Sequence, residues 1–213
     1  MDFIPKYIEE YADEHTTADS ELLKKLYRDT HLKVLIPAML SGHLQGRFLS
    51  MASHMIRPKR ILEIGTYTGY SALCLAEGLA DDGSLHTIDK NEELQHIQKE
   101  HWDASPYKDQ IIGHIGDARE IIPSLKEDWD LVFIDADKTN YQTYYDLLIP
   151  NMRSNSFLLA DNVLWYGKVA GVIDPEDADT LALDKFNKFV VQDKRVEVVL
   201  LSVRDGLSVI RKK

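Results

Sequence analysis

Arg60-Ile61-Leu62-Glu63-Ile64-Gly65-Thr66-Tyr67-Thr68-Gly69-Tyr70-Ser71 decides the fold class. An apolar run of strand length breaks at one glycine. A second glycine four residues on opens a segment with Ala72, Leu75, Ala76 and Leu79 at helical spacing. Runs of the same kind recur at Ser84 to Asp89, Asp130 to Asp135 and Ser156 to Asp161, with a weaker one at Ile111 to Ile115. Tyr141, Tyr144, Tyr145 and Leu148 make another helical stripe between two of them. Continuous apolar runs alternating with helices read as parallel strands buried on both faces. Asp174-Pro175 reads as the N-cap and first position of a helix carrying Ala178, Leu181, Ala182, Phe186 and Phe189. At the end, Val196 to Val203 and Leu207 to Ile210 are joined only by Arg204-Asp205-Gly206, a link too short for a parallel crossover. The expected fold is α/β: seven strands, mostly parallel, with an antiparallel C-terminal strand and helices on both faces.

Upstream, residues 1–57 read as a helical preface. Ile4, Tyr7, Ile8 and Tyr11 share one helical face, and Ser20 opens a helix with Leu22, Leu23, Leu26 and Tyr27 that stops before Pro37. A third helix from about Gly42 to Ile56 carries Leu44, Phe48, Met51, Ala52 and Met55 and closes at Pro58. With no repeat, low-complexity tract or Gly/Ser linker, 1–213 reads as one domain, the preface on a core of 58–213. The chain is 44% hydrophobic, enough for one sizeable core. Its net charge of −10 disfavours general binding to nucleic acid or anionic membranes. A single cysteine, Cys74, excludes an intrachain disulfide and a cysteine-based zinc site. No signal peptide or membrane-length apolar run is visible, so the expectation is a cytoplasmic protein.

Ligands of open parallel sheets bind beyond the carboxyl ends of the strands, which makes the polar residues there the candidates. The Gly65–Gly69 turn lets backbone approach a ligand, or serves the tight turn alone. It lacks the third glycine of dinucleotide binders and the lysine of phosphate loops, and Glu63 suits a cationic or amine-bearing ligand better than pyrophosphate. Asp89 can accept two ribose hydroxyls, or be a solvated or capping carboxylate. Asp117, followed by Ala118, can take the exocyclic amine of adenine. Asp135, Asp161 and Asn162 offer three oxygens to a hard divalent cation, leaving positions for substrate or water. Each acid could instead cap a following helix, which leaves the Asp-Asn pair unexplained. Lys138 could be an ordinary solvated lysine. Beside a bound cation its pKa would fall, making it a general base.

Together these segments resemble the cation-dependent O-methyltransferases, the family of the catechol and caffeoyl-coenzyme A enzymes. The resemblance runs from about Gly42 to the C-terminus. It is carried by Gln45-Gly46, the Leu62–Ser71 turn, Asp89, Gly116-Asp117-Ala118, Asp135-Ala136-Asp137-Lys138, Asp161-Asn162-Val163-Leu164-Trp165 and Asp205-Gly206-Leu207. It implies a seven-stranded Rossmann-like fold, S-adenosylmethionine as cofactor and a divalent cation, magnesium before calcium or manganese. By position, Glu63, Gly65, Tyr67 and Ser71 would line the methionine and ribose side, with Met39 and Ser41 as looser contacts. Asp89 would hold the ribose, and Asp117 and Ala118 the adenine. Asp137 would lie near the sulfonium or amino group. Asp135, Asp161 and Asn162 match the metal ligands, with Asp135 also touching the cofactor, and Lys138 matches the base. Lys138, Asn162 and Trp165 would meet an aromatic substrate with vicinal hydroxyls, Trp165 and Tyr166 either stacking on it or packing beneath their loop. His15, His31, His43 and the Trp165–Gly171 segment map onto no known specificity set, and His43 reads as a surface residue. A homodimer is implied by analogy, the apolar stripes of the preface suiting a partner.

The alternative within the family is methylation of a tRNA hydroxyuridine, for which Lys24, Lys25, Arg28, Lys33, Arg47, Arg57, Lys59 and Arg60 could form a basic strip. A nicotinamide-dependent dehydrogenase conflicts with the missing glycine and the Asp-Asn pair. A non-enzymatic adenosine-binding module leaves Asp135, Asp161, Asn162 and Lys138 idle.

Overall fold

The computed structural model describes residues 4–213. Seven strands, β1 (Arg60–Ile64), β2 (Ser84–Asp89), β3 (Ile111–Ile115), β4 (Trp129–Ile134), β5 (Met152–Asp161), β6 (Val196–Leu201) and β7 (Leu207–Lys212), form one sheet in the order β3-β2-β1-β4-β5-β7-β6. The first five are parallel. β7 runs antiparallel to both neighbours, inserted between β5 and β6 and leaving β6 at the edge. Strand order reverses between β1 and β4, so the ligand-binding crevice of this topology opens there.

Strand alternation sorts the core into two layers. Ile61, Leu131, Phe133 and Leu159 face α2 (Glu21–Lys33), α3 (His43–Ile56), α4 (Tyr70–Ala76) and α5 (Gln95–Asp103). Leu62, Ile64, Val132, Ile134, Leu158 and Ala160 face α6 (Ala118–Leu125), α7 (Tyr141–Leu148) and α8 (Ala178–Gln192). No helix among the described residues is long and apolar enough to cross a membrane.

Two helix details differ from expectation, in α3 and α8, and a third, in α1, bears on the surface. In α3 the buried face is Gln45, Gly46, Leu49, Ser50, Ala52 and Ser53, while Met51 and Met55 are exposed. The reason lies at Gly46: an added Cβ would stand 2.6 Å from the Tyr70 ring, so small and polar residues let α3 approach α4 closely. α8 begins three residues beyond Asp174-Pro175. Asp177 is its N-cap, accepting from the Thr180 N–H at 3.1 Å, while Asp174 closes a turn on Glu176. The helix α1 (Lys6–Glu14) buries none of its residues, so Tyr7, Ile8 and Tyr11 form an exposed apolar stripe.

Candidate active site at the strand ends

The turn after β1 depends on its glycines. Gly65 has φ +100°, and a Cβ there would lie 1.9 Å from the Asp135 carbonyl oxygen. Only glycine lets the end of β1 rest against the end of β4 in this way. Gly69, at φ +86°, passes 2.6 Å (from an added Cβ) beneath the Trp102 indole nitrogen. At both positions the missing side chain leaves room for neighbouring protein.

Glu63 points to the α4 side with Ile61 and is fully buried. Thr87 donates to its Oε2 at 2.5 Å, and Oε1 has no hydrogen-bond partner. Burial pushes this carboxyl up to about 8, against the downward pull of the Ser71 and Thr87 hydroxyls. Asp89 neither caps a helix nor stands free. Its Oδ2 accepts from the Thr66 and Tyr67 N–H groups at 3.1 and 2.7 Å, and its Oδ1 from Asn91 N–H at 2.8 Å. β2 thereby holds the glycine turn in place. The Tyr67 hydroxyl donates to the Ile36 carbonyl at 2.8 Å, tying to this turn the segment that carries exposed Met39 and buried Ser41.

Asp117 is the N-cap of α6, accepting from Arg119 N–H at 2.9 Å. Its carboxylate also pairs with the Arg119 guanidinium at 2.5 Å, which holds its pKa far below the usual range. Ala118, the first residue of α6, is buried.

The acids of β4 and β5 meet. Ile134 pairs with Ala160, so Asp135 and Asp161 leave adjacent strands side by side, and neither caps a helix. Lys138 Nζ lies 3.0 Å from Asp135 Oδ1, 2.8 Å from Asn162 Oδ1 and 2.9 Å from the Tyr141 hydroxyl. It is buried rather than solvated. Burial pulls its pKa down, but Tyr141 and Asp135 outweigh that and hold the ammonium above its ordinary value. With its three acceptors in place the charged form of Lys138 is favoured. Asp161 is buried, and its carboxyl is pushed up by burial and then by Asp135, while Gln45, Lys138 and Arg204 pull it down. Asp137 is exposed on this rim, its Oδ1 accepting from the Tyr144 hydroxyl at 2.5 Å.

Beyond Asp161 the chain takes left-handed backbone at Asn162, Trp165 and Tyr166, with φ of 55°, 48° and 56°. Such conformations at non-glycine residues persist only where the surroundings enforce them. Here Asp205 and Gly206 do so: Leu164 N–H donates to the Asp205 carbonyl at 2.9 Å, Val163 N–H to that of Gly206 at 3.1 Å, and Tyr166 N–H to the Asp205 carboxylate. Trp165 packs on the core with its ring 5.7 Å from Lys138 Nζ, while Tyr166 is exposed. His43 is half-buried, its Nδ1 3.1 Å from Asp19 Oδ1, rather than a free surface residue.

Two contributors escaped the sequence reading. Tyr141, read only as core, uses its hydroxyl to accept from Lys138 and donate to the Asp161 carbonyl at 3.0 Å. A tyrosine on a buried helical stripe needs such a partner, and that need was the available signal. Arg204, read only as part of a turn, donates to Gln45 Oε1 at 2.5 Å, and Gln45 Nε2 donates to Asp161 Oδ2 at 2.7 Å.

A profile of the O-methyltransferase family matches residues 13–213. The chain belongs to that family. Relatives within it include a caffeoyl-CoA O-methyltransferase of Populus kitakamiensis, 33% identical over 79% of this chain and 76% of the relative. A flavonoid 3',5'-methyltransferase of Vitis vinifera is 32% identical over the same shares. Among solved structures, the SAH-bound Podospora anserina methyltransferase PaMTH1 superposes with a TM-score of 0.89 at 29% identity, covering 97% of this chain and 94% of that one. As an O-methyltransferase, this chain has its strand-end residues at the crevice where ligands of such sheets bind.

Proposed function

We propose that this O-methyltransferase uses S-adenosylmethionine and a divalent cation, magnesium first, to methylate one of two vicinal hydroxyls on a small aromatic acceptor. The observation that carries the reading is the meeting of Asp135 and Asn162 on one buried cationic group, Lys138, with Asp161 leaving the adjacent strand end beside Asp135. An all-oxygen donor set suits a hard divalent ion. The orphaned Oε1 of buried Glu63 suits an amine-bearing ligand beside the glycine turn. Glu63, Gly65, Tyr67, Ser71, Asp89, Asp117, Ala118 and Asp137 would hold the cofactor, with Met39, Ser41 and Asp135 at its edges. Asp135, Asp161 and Asn162 would hold the metal.

When bound, the cofactor would supply an electrophilic methyl group, and the cation would acidify and orient the acceptor hydroxyls. This chain's own residues do the rest. Trp165 and Tyr166 would wall the acceptor's approach, on a loop that the Asp205-Gly206 turn holds in place. Lys138 Nζ is the group placed to take the acceptor's proton. It is held charged while Asp135 and Asn162 accept from it; were those oxygens to turn to a bound cation, the like charge would lower its pKa and favour the neutral amine, the form that can accept a proton. Alignment of the hydroxylate with the methyl group is the main service of such a site.

A tRNA acceptor is disfavoured by the basic strip itself. Six of its eight residues pair with acids: Lys24 with Glu21, Lys25 with Glu100, Lys33 with Asp29, Arg47 with Glu77, Lys59 with Asp82 and Arg60 with Glu127. Neutralised residues offer little to a phosphate backbone. A homodimer belongs to the same reading, with exposed Tyr7, Ile8 and Tyr11 of α1 as apolar surface for a second copy. The test is a methyl-transfer screen with labelled cofactor, with and without magnesium, over catechols, caffeoyl esters, flavonoids and undermodified tRNA. Magnesium-dependent labelling of a vicinal diol supports the reading. Labelling of tRNA alone overturns it.

A further inference from the structure

Away from the strand ends, one histidine faces two acids inside a helix joint. His101 of α5 has no exposed surface, and its Nδ1–H donates to the Ile97 carbonyl at 2.9 Å. A neutral ring with its proton on Nδ1 carries a lone pair on Nε2. That Nε2 is buried without a hydrogen-bond partner and lies 3.2 Å from Asp29 Oδ2 of α2, a buried carboxylate oxygen that likewise accepts no hydrogen bond and has only the Lys25 ammonium at 3.4 Å as an ion pair. Two lone pairs so placed repel unless something positive sits between them. Four other histidines, His31, His54 and His96 within helices and His15 just past the end of α1, make the same kind of Nδ1 contact to a preceding carbonyl, yet all four are exposed.

We propose that Asp29, Glu100 and His101 form a divalent-cation site of the mixed nitrogen and oxygen kind that zinc favours, separate from the acids at the strand ends. One ligand atom from each of the three lies within 4.8 Å of the others, the one such cluster among the described residues. Zinc bound to nitrogen and oxygen at about 2.0–2.1 Å in a tetrahedron sets its ligands about 3.3 Å apart, close to the Nε2–Oδ2 separation. The Nδ1–H bond to a backbone carbonyl is what fixes the tautomer of a metal-bound histidine.

Charge also balances. Lys25 Nζ lies 2.5 Å from Glu100 Oε1 and 3.4 Å from Asp29 Oδ2, and Lys33 Nζ lies 3.2 Å from Asp29 Oδ1 and 4.0 Å from Glu100 Oε2. Both lysines are about half exposed, so a dication can take over their two charges while their ammonium groups turn to water. The joint stands behind the glycine turn. From α5, Gln98 donates to the Tyr67 carbonyl at 2.7 Å and Trp102 to that of Gly69 at 3.4 Å. An ion here fastens α2 to the helix that holds that turn.

Calorimetric titration of the chelator-stripped full chain with zinc, in excess magnesium, tests the site. The expected result is one zinc per chain, bound at least tenfold more weakly by Glu100→Gln and by His101→Gln, with histidine nitrogen in the zinc X-ray absorption spectrum. If His101→Gln fails to fold, exposed Glu100→Gln carries the comparison. Absence of zinc uptake, or unchanged affinity in either folded variant, overturns the proposal and leaves a proton between His101 and Asp29.

Discussion

Gln45 holds Asp161 by a 2.7 Å bond from its Nε2, and Arg204, 159 residues further along the chain, fixes which end of that amide does so. Reversing the amide would set its oxygen against the Asp161 carboxylate and its NH2 against the guanidinium. The orientation is therefore dictated by chemistry at both ends. Asp161 is buried and faces Asp135, both of which disfavour its charged form, and the Gln45 bond, the Lys138 charge and the Arg204 charge oppose them.

Removing the amide should expose that dependence. Gln45→Leu takes a donor from buried Asp161 and an acceptor from half-buried Arg204 and should cost about 1–3 kcal/mol of stability, read by denaturant unfolding. Arg204→Ala should lower magnesium affinity while leaving affinity for S-adenosylhomocysteine near that of the wild type, measured by calorimetry. Arg204→Lys should recover part of the loss.

Glu63 gives a pH signature. Its carboxyl is raised from 4.5 to about 8 in the folded state, so the folded chain binds the extra proton between those values. The stability this confers is complete below pH 4.5 and is lost as pH rises through about 8. The difference in melting temperature between wild type and Glu63→Gln should therefore move against the wild type across that window. A difference that stays constant with pH would show that Glu63 is ionised throughout.

Gly65→Ala tests the contact between the ends of β1 and β4. The added carbon would meet the Asp135 carbonyl at 1.9 Å in a left-handed backbone, so a loss of about 3 kcal/mol or more is expected. Thermal unfolding reads the stability, and the same shift should misplace Asp135 and suppress turnover.

Trp165 separates stacking from support. Its ring packs on the core beside Lys138. Trp165→Ala should raise the acceptor KM at least severalfold, with the KM for the methyl donor unchanged. A loss of thermal stability with an unchanged acceptor KM would assign it to packing alone.

The strand ends were readable in the sequence because a parallel strand buried on both faces leaves few places for a carboxylate except its mouth. Glu63, Asp89, Asp135 and Asp161 stood out for that reason. The stripe on α3 misled because hydrophobicity selected Met51 and Met55, whereas the helix packs through the small surface around Gly46. Asp174-Pro175 misled because an acidic turn precedes the true cap at Asp177. The Arg204–Gln45–Asp161 chain was hidden for another reason: it exists only once a C-terminal turn and an N-terminal helix converge on β5.

The most direct test of the account is turnover of a vicinal-diol acceptor with labelled S-adenosylmethionine, measured with magnesium, with excess chelator, and in Asp161→Ala. S-adenosylhomocysteine affinity is followed in parallel. The account predicts that chelation and Asp161→Ala each abolish labelling, that added magnesium restores the chelated enzyme but not the variant, and that S-adenosylhomocysteine still binds. Labelling that continues at an undiminished rate in chelator would contradict it.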